Sequence, residues 1–247
     1  METRASTKRF CFLRKLIIWK ELLPEHISKN IIPYFKTKLH ESNLTNEISL
    51  EHNDDKLFLV YTSLFNSSNS YLKDNVLIEF GAKNTIDPYE EKTLTTYLSY
   101  TTDILLPTPN VKILHPKRIF WEKATLMHVE CNRKIRENKG DRLSRHWYDM
   151  YMLCQSGVKD EALKDIPLFH SVLEHKTMFF NNSLAKYDNC KSGQFRLIPD
   201  DNDIKKLTTD YNEMIRSGMF ANEPPKFSQI IETLQLLESD LNLRCKS

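Results

Sequence analysis

Three short stretches concentrate residue types used in phosphate chemistry. The first is Asn75-Val76-Leu77-Ile78-Glu79-Phe80-Gly81-Ala82, where one acid stands inside an otherwise apolar strand. Strand alternation puts Val76, Ile78, Phe80 and Ala82 on one face, and Leu77 and Glu79 on the other. A solvent-facing glutamate on a half-exposed antiparallel sheet fits this pattern, and so does a carboxylate entering a cleft as metal ligand or proton acceptor. The second runs from Arg118 through Phe120-Trp121-Glu122-Lys123-Ala124 to His128. On a helix, Lys123 falls between Ile119 and Phe120 one turn back and Leu126 and Met127 one turn on, the greasy side, unlike Glu122. Such a lysine either snorkels to water along the core or keeps its ammonium in a pocket for phosphate charge. The third, Arg142-Leu143-Ser144-Arg145-His146-Trp147-Tyr148-Asp149-Met150, offers Ser144 as an N-cap and Arg145 to Asp149 as an i,i+4 pair. That pair suits the surface of an amphipathic helix. The apolar neighbours Tyr148, Met150 and Leu153 suit instead an inward acid with a partner. Arg142, Arg145 and His146 together suit a polyanion. His128 and His146 match no spaced metal motif, and no zinc is assigned.

The elements that must position these residues follow from periodicity. From Lys8 to Leu39 apolar residues recur at helical spacing, broken at Pro24, which reads as one or two helices. Glu47 to Leu50, Leu57 to Thr62 and Asn75 to Ala82 are short apolar runs separated by His52-Asn53-Asp54-Asp55 and Asn66-Ser67-Ser68-Asn69-Ser70. They read as an antiparallel series, and Val111 to Leu114 adds a last strand after a Pro-Thr-Pro-Asn turn. Beyond Pro116 the expected helices are Arg118 to Cys131, Ser144 to Ser156, Glu161 to Phe180, Asp203 to Ser217 and Phe227 to Leu241. Glu137-Asn138-Lys139-Gly140, Gly193, Pro199, Gly218 and Pro224-Pro225 punctuate them. The reading is α+β, with an α+β domain over residues 1–115 followed by a helical domain over 116–247.

Composition closes several classes. With 247 residues, 40% hydrophobic and 11% aromatic, the chain is long and apolar enough to bury a core. Its 35 Lys+Arg against 33 Asp+Glu leave +2, giving no global attraction to nucleic acid or membrane. Only 5 glycines occur, all isolated, so neither a Walker loop nor a Rossmann fingerprint can form. The 5 cysteines are odd in number and form no C-x-x-C, which argues for a reducing cytoplasm. Leu16-Ile17-Ile18-Trp19, followed at once by Lys20 and Glu21, is too short for a membrane span.

Taken in order, N-V-L-I-E-F-G-A, then R-x-F-W-E-K-A-T-L-x-H, then R-x-S-R-H-x-Y-D-M resembles the AbiEii/AbiGii-type nucleotidyltransferase toxins of the polymerase-β-like superfamily. The likeness continues through His175-Lys176-x-x-Phe179-Phe180, Tyr187, Gly193-x-Phe195-Arg196-Leu197-Ile198-Pro199, Asp210-Tyr211-x-x-Met214, Met219-Phe220 and Pro224-Pro225-x-Phe227. The resemblance implies a partial nucleotidyltransferase sheet with flanking helices, and transfer of a nucleotide from an NTP with Mg²⁺. It also implies RNA acceptors such as tRNA ends, a cognate antitoxin, and a cytoplasmic protein with no membrane association. It makes Glu79 the metal-binding carboxylate of the sheet, Lys123 the triphosphate-contacting lysine and Asp149 the acid of the following helix. Arg118, Arg142, Arg145 and His146 become nucleotide- or RNA-binding residues. In-line attack on an α-phosphate uses metals held by several carboxylates, with cations spreading charge off the leaving pyrophosphate. The family also carries an earlier Gly-Gly or Gly-Ser turn and an Asp-x-Asp strand. Here no glycines are adjacent, and the first 45 residues contain no Asp. Asp201-Asn202-Asp203 has the spacing but reads as a helix cap. The expectation is a toxin component incomplete or inactive alone, either a decayed remnant or the C-terminal part of a split gene whose missing piece is an upstream-encoded N-terminal fragment. The alternative is a non-catalytic RNA- or protein-binding remnant of the fold.

Overall fold

The computed structural model describes residues 22–53, 55–63, 71, 73–81, 87–133 and 142–245. Residues 8–21 of the first expected helix, the 66–70 breaker, Ala82 and the 137–140 breaker lie outside them. By internal contacts the chain divides into two compact units, Met1–Thr85 and Ile86–Ser247. The sequence places the change of architecture at 115/116, whereas contacts divide the chain at 85/86. The architecture is α+β, with small antiparallel sheets and a helical C-terminal half.

In the first unit, residues 22–26 are helical around Pro24, so the expected break does not fall there. The helix is deformed instead at a π turn, Ile27–Ile31, just before α1 (Ile32–Glu41). Pro33 explains the position, because it lacks an N–H and its ring crowds the carbonyl four residues back. The strands β1 (Ile48–Asn53), β2 (Lys56–Tyr61) and β3 (Asn75–Glu79) form a meander with β2 central. Leu57 pairs with Ile78, and Leu50 with Leu59. This register turns Leu50, Leu57 and Ile78 onto one face, where they pack with Ile27, Ile32, Phe35 and Phe80. Lys56 and Glu79 are directly opposed.

The second unit begins with a hairpin of β4 (Tyr89–Thr93) and β5 (Asn110–Leu114). The sequence reading lacks β4, since Tyr-Glu-Glu-Lys-Thr carries no apolar alternation. The strand is made by pairing, with Tyr89 opposite Leu114 and the Lys112 ammonium 4.5 Å from the Tyr89 ring centre. His115 and Pro116 then open α2 (Pro116–Asn132), with the His115 ring accepting from the Lys117 N–H at 3.2 Å. This helix buries Phe120, Trp121, Ala124, Met127, His128 and Cys131, and it lies against four later helices.

Those that follow are α3 (Ser144–Gln155), α4 (Val158–Lys164), α5 (Ile166–Phe179), α6 (Tyr187–Lys191), α7 (Asp201–Arg216) and α8 (Phe227–Arg244). Gly157, at φ 82, supplies the left-handed turn between α3 and α4. The single helix expected over 161–180 is two. Asp165 accepts from the Leu168 N–H, and Pro167 follows in the first turn, a start signal inside the apolar pattern. Asp200 caps α7, so Asp201 and Asp203 belong to its first turn. Between α6 and α7 an extended strap is held from three sides. Glu238 accepts from the Leu197 and Ile198 N–H groups, and Asn242 bonds both the N–H and the carbonyl of Phe195. Trp147 donates to the Leu197 carbonyl, and the His128 Nδ1 accepts from the Arg196 N–H at 3.0 Å.

Candidate active site

Lys123 and Asp149 are brought together where α2 packs on α3, with Nζ 2.6 Å from Oδ2. Helical periodicity explains why Lys123 is drawn in, since Phe120, Ala124 and Met127 around it are fully buried. Its side chain keeps 21% exposure and that of Asp149 43%, so the pair opens to solvent on the aspartate side. One of the three ammonium protons is given to Asp149, leaving two donors for a ligand. The local i,i+4 expectation is thereby corrected: Asp149 engages Lys123 of another helix, while Arg145 stands exposed.

The start of α3 is also built differently from the expected Ser144 cap. Leu143 is the N-cap residue and makes no side-chain bond there. Asp210, on α7, accepts instead from the Arg142 N–H at 2.9 Å and the Ser144 N–H at 2.8 Å. Ser144 turns its hydroxyl into the core toward the Met214 sulfur. A carboxylate at a helix N-terminus satisfies free N–H groups and complements the dipole. Nothing local to Ser144 marks this, because the cap arrives from a distant helix.

Glu122 is nearly as enclosed as Lys123, a smaller contrast than the one drawn from periodicity. Its carboxylate receives the Arg118 Nε at 3.0 Å and stands 3.5 Å from the Lys176 Nζ. Lys176 lies 4.9 Å from the Phe180 ring centre. Arg118 is buried and also donates to the Asp87 carbonyl at 2.8 Å, which ties α2 to the start of the hairpin. Lys176 of α5 on Glu122 and the Arg118 bond to Asp87 thus hold the rotation of α2 beside Lys123 from outside the helix. Lys176 had no assigned role in the sequence. Its only signal was its place in the His175-Lys176-x-x-Phe179-Phe180 run.

His146 sits on α3 near Lys123. Burial first, then the Lys123 and Arg145 charges, push its pKa down to about 4 against an opposing effect of Asp149. His128 is enclosed further along α2, and burial likewise holds it at about 4. Its Nδ1 accepts from Arg196, so the proton lies on Nε2, which donates to the Lys186 carbonyl at 3.2 Å. His128 is therefore a neutral clamp between α2, the strap and the start of α6.

Glu79 belongs to the other unit. Its side chain is 60% exposed and ion-paired with Lys56 across the strands at 3.0 Å, on the face away from the packed core. This is the geometry of an outward glutamate in a cross-strand pair. Mg²⁺ takes several oxygen ligands in near-octahedral geometry. Glu79 and Asp149 each already hold a lysine, and among the described residues no group of three or more His, Cys, Asp or Glu is arranged to hold an ion. The described residues alone do not fit Mg²⁺.

A groove of about 570 Å³ runs between α7 and α8, bordered by Tyr211, Ile215, Pro225, Phe227 and Ile231. It is separate from the Lys123–Asp149 pair and offers apolar contact rather than converging charge. The chemistry-bearing side chains are the better guide to an active site here.

The sequence matches the family of nucleotidyl transferase AbiEii toxins of type IV toxin–antitoxin systems over residues 19–233. The chain belongs to that family. No curated protein and no solved structure matches it. The AbiEii match spans both units, and membership implies a cognate antitoxin. Among the described residues no helix is long and apolar enough to cross a membrane. The strap, the Asp210 cap and the aromatic group of Tyr148, Tyr211 and Phe220 show what the later motif residues of this AbiEii chain do. They tie α2, α3, α7 and α8 to the strap and to one another.

Proposed function

We propose that the chain is a nucleotidyltransferase toxin component that moves a nucleotide from an NTP to an RNA acceptor, a tRNA end being the first to test. On this reading it works in the cytoplasm and completes its site with an upstream-encoded fragment carrying the Gly-Gly or Gly-Ser turn and the Asp-x-Asp strand. The observation that carries the proposal is the Lys123–Asp149 pair, partly open to solvent on the packed faces of α2 and α3. In such a transfer an acceptor oxygen bonds to the α-phosphorus as the bond to the bridging oxygen breaks. Pyrophosphate leaves, and the acceptor proton passes to a base. Lys123 contributes two free ammonium donors to the phosphates, and Asp149 holds the ammonium in place. Arg145, exposed at the start of the same helix, and Arg142 beside it extend positive charge along the approach. Mg²⁺ is expected to require the carboxylates of the additional fragment.

A second reading, a non-catalytic RNA- or protein-binding module, is favoured by Glu79. Its Lys56 pair and exposure suit a surface residue better than an ion ligand. Labelled NTPs, Mg²⁺ and tRNA, incubated with the chain alone and with the upstream-encoded polypeptide, separate the readings. Transfer only in the combined reaction supports the divided enzyme. Transfer by the chain alone removes the need for a fragment, and none in either case leaves the binding module.

A further inference from the structure

His146 stands one turn before Asp149 on α3, so its ring shares that face with the carboxylate. The charges that act on it are Lys123 from α2, with Arg145 and Asp149 from its own helix. Asp210 of α7 is occupied by the N–H groups that open α3. Lys159, Asp160 and Asp240, from α4 and α8, gather around Cys154 further along the helix. The charges acting on the ring are therefore two cations and one carboxylate, and that carboxylate is already taken by Lys123. The Nδ1 atom is sealed from water and has no hydrogen-bond partner among the described residues. A second ring proton would sit on that sealed nitrogen as a charged donor with no acceptor, whereas a bare lone pair there is the less costly orphan. The single proton is thereby directed to Nε2.

We propose, resting on the nucleotidyltransferase reading, that His146 is a neutral hydrogen-bond donor whose Nε2–H takes a phosphate oxygen of the nucleotide held by Lys123. It contributes direction rather than charge, and its contact does not change with pH across the neutral range. Burial and the two cations hold its pKa at about 4, consistent with that role. A cationic histidine, the polyanion contact the sequence suggested, would behave oppositely and bind more tightly as the pH fell.

The test uses the full chain, joined by the upstream-encoded polypeptide where transfer requires it, with Mg²⁺ and each of the four NTPs, or with inorganic triphosphate. Dissociation constants are measured by calorimetry at pH 7.5, 6.5 and 5.5 for wild type, His146→Gln and His146→Ala. Glutamine places an N–H donor near the position of Nε2. It is expected to bind within about threefold of wild type, while alanine weakens binding roughly tenfold by the same factor at every pH. Long-range ¹⁵N correlation spectra of the free protein are expected to show the Nε2–H tautomer. Wild-type affinity that rises severalfold toward pH 5.5 and loses that rise in His146→Gln overturns the neutral donor, as does an Nδ1–H tautomer. Alanine binding like wild type overturns this inference alone. A transfer-competent assembly that loses no affinity in either His146→Ala or Lys123→Ala overturns it together with the phosphate role of Lys123.

Discussion

Removing either member of the Lys123–Asp149 pair should separate activity from stability. The bond is short, 2.6 Å, yet the two side chains are 21% and 43% exposed. Partly solvated pairs of this kind contribute about 1 kcal/mol or less. For a chain of this size that corresponds to a melting shift of no more than about 4 °C. Loss of a preorganised cation facing developing phosphate charge is far larger in effect, on the order of 10²–10³ in rate. Lys123→Ala, Asp149→Asn and the double variant are therefore expected to melt within about 4 °C of wild type while transfer falls at least about a hundredfold with Lys123→Ala. If Asp149 acts by holding the ammonium, the double variant should be no slower than Lys123→Ala, a strongly non-additive cycle. Melting is followed by circular dichroism, and transfer by labelled NTP in whichever assembly is active. The reasoning fails if either single substitution lowers the melting temperature by more than about 8 °C, since the pair would then be a structural element. It fails equally if transfer survives both changes.

Further outcomes follow from the packing. Asp210→Ala strips the cap from α3 and should destabilise by about 1–2 kcal/mol in urea titration, with Asp210→Asn losing less. Glu238→Ala leaves two strap N–H groups without their acceptor and should lose about 2 kcal/mol or more, the larger effect of the two. Lys56→Ala should change stability by less than about 0.5 kcal/mol, because its pair with Glu79 lies on the surface. His128 gives a pH signature. Its pKa is about 4 in the folded protein and near 6.5 when unfolded, so above pH 6.5 neither state is charged and its neutral burial is undisturbed. As pH falls from 6.5 toward 4, the unfolded chain takes up a proton that the folded chain does not. Stability then drops by up to about 1.4 kcal/mol per pH unit. Urea midpoints at pH 7.5, 5.5 and 4.5 should show a shallower loss in His128→Gln, and an identical slope would contradict the assignment.

Much of the fold was legible because its elements carry their own periodicity. β2, β3, β5, α2, α7 and α8 lie close to where apolar spacing put them, while β1 runs on through the His52-Asn53 that read as a breaker. What was missed has specific causes. Tyr89 to Thr93 is charged and becomes a strand only because β5 pairs with it. Pro24 looked like a break but sits within helical residues, and the distortion falls before Pro33. The division at Asp165-Ile166-Pro167 was written in the residues as cap and proline, but the apolar pattern ran across it.

The letters alone fixed which residues were worth asking about, and the order of motifs that marks the family, because chemical type and local periodicity are properties of the chain itself. They did not fix who meets whom. Asp149 had Arg145 one turn away, but the packing of α3 on α2 gave it Lys123 instead. Ser144 is a good cap by type, but Asp210 reaches the same N–H groups from α7. A local partner competes with every group that tertiary packing brings within hydrogen-bond reach, and the helix packing that decides which group arrives is not a property of any local stretch of chain.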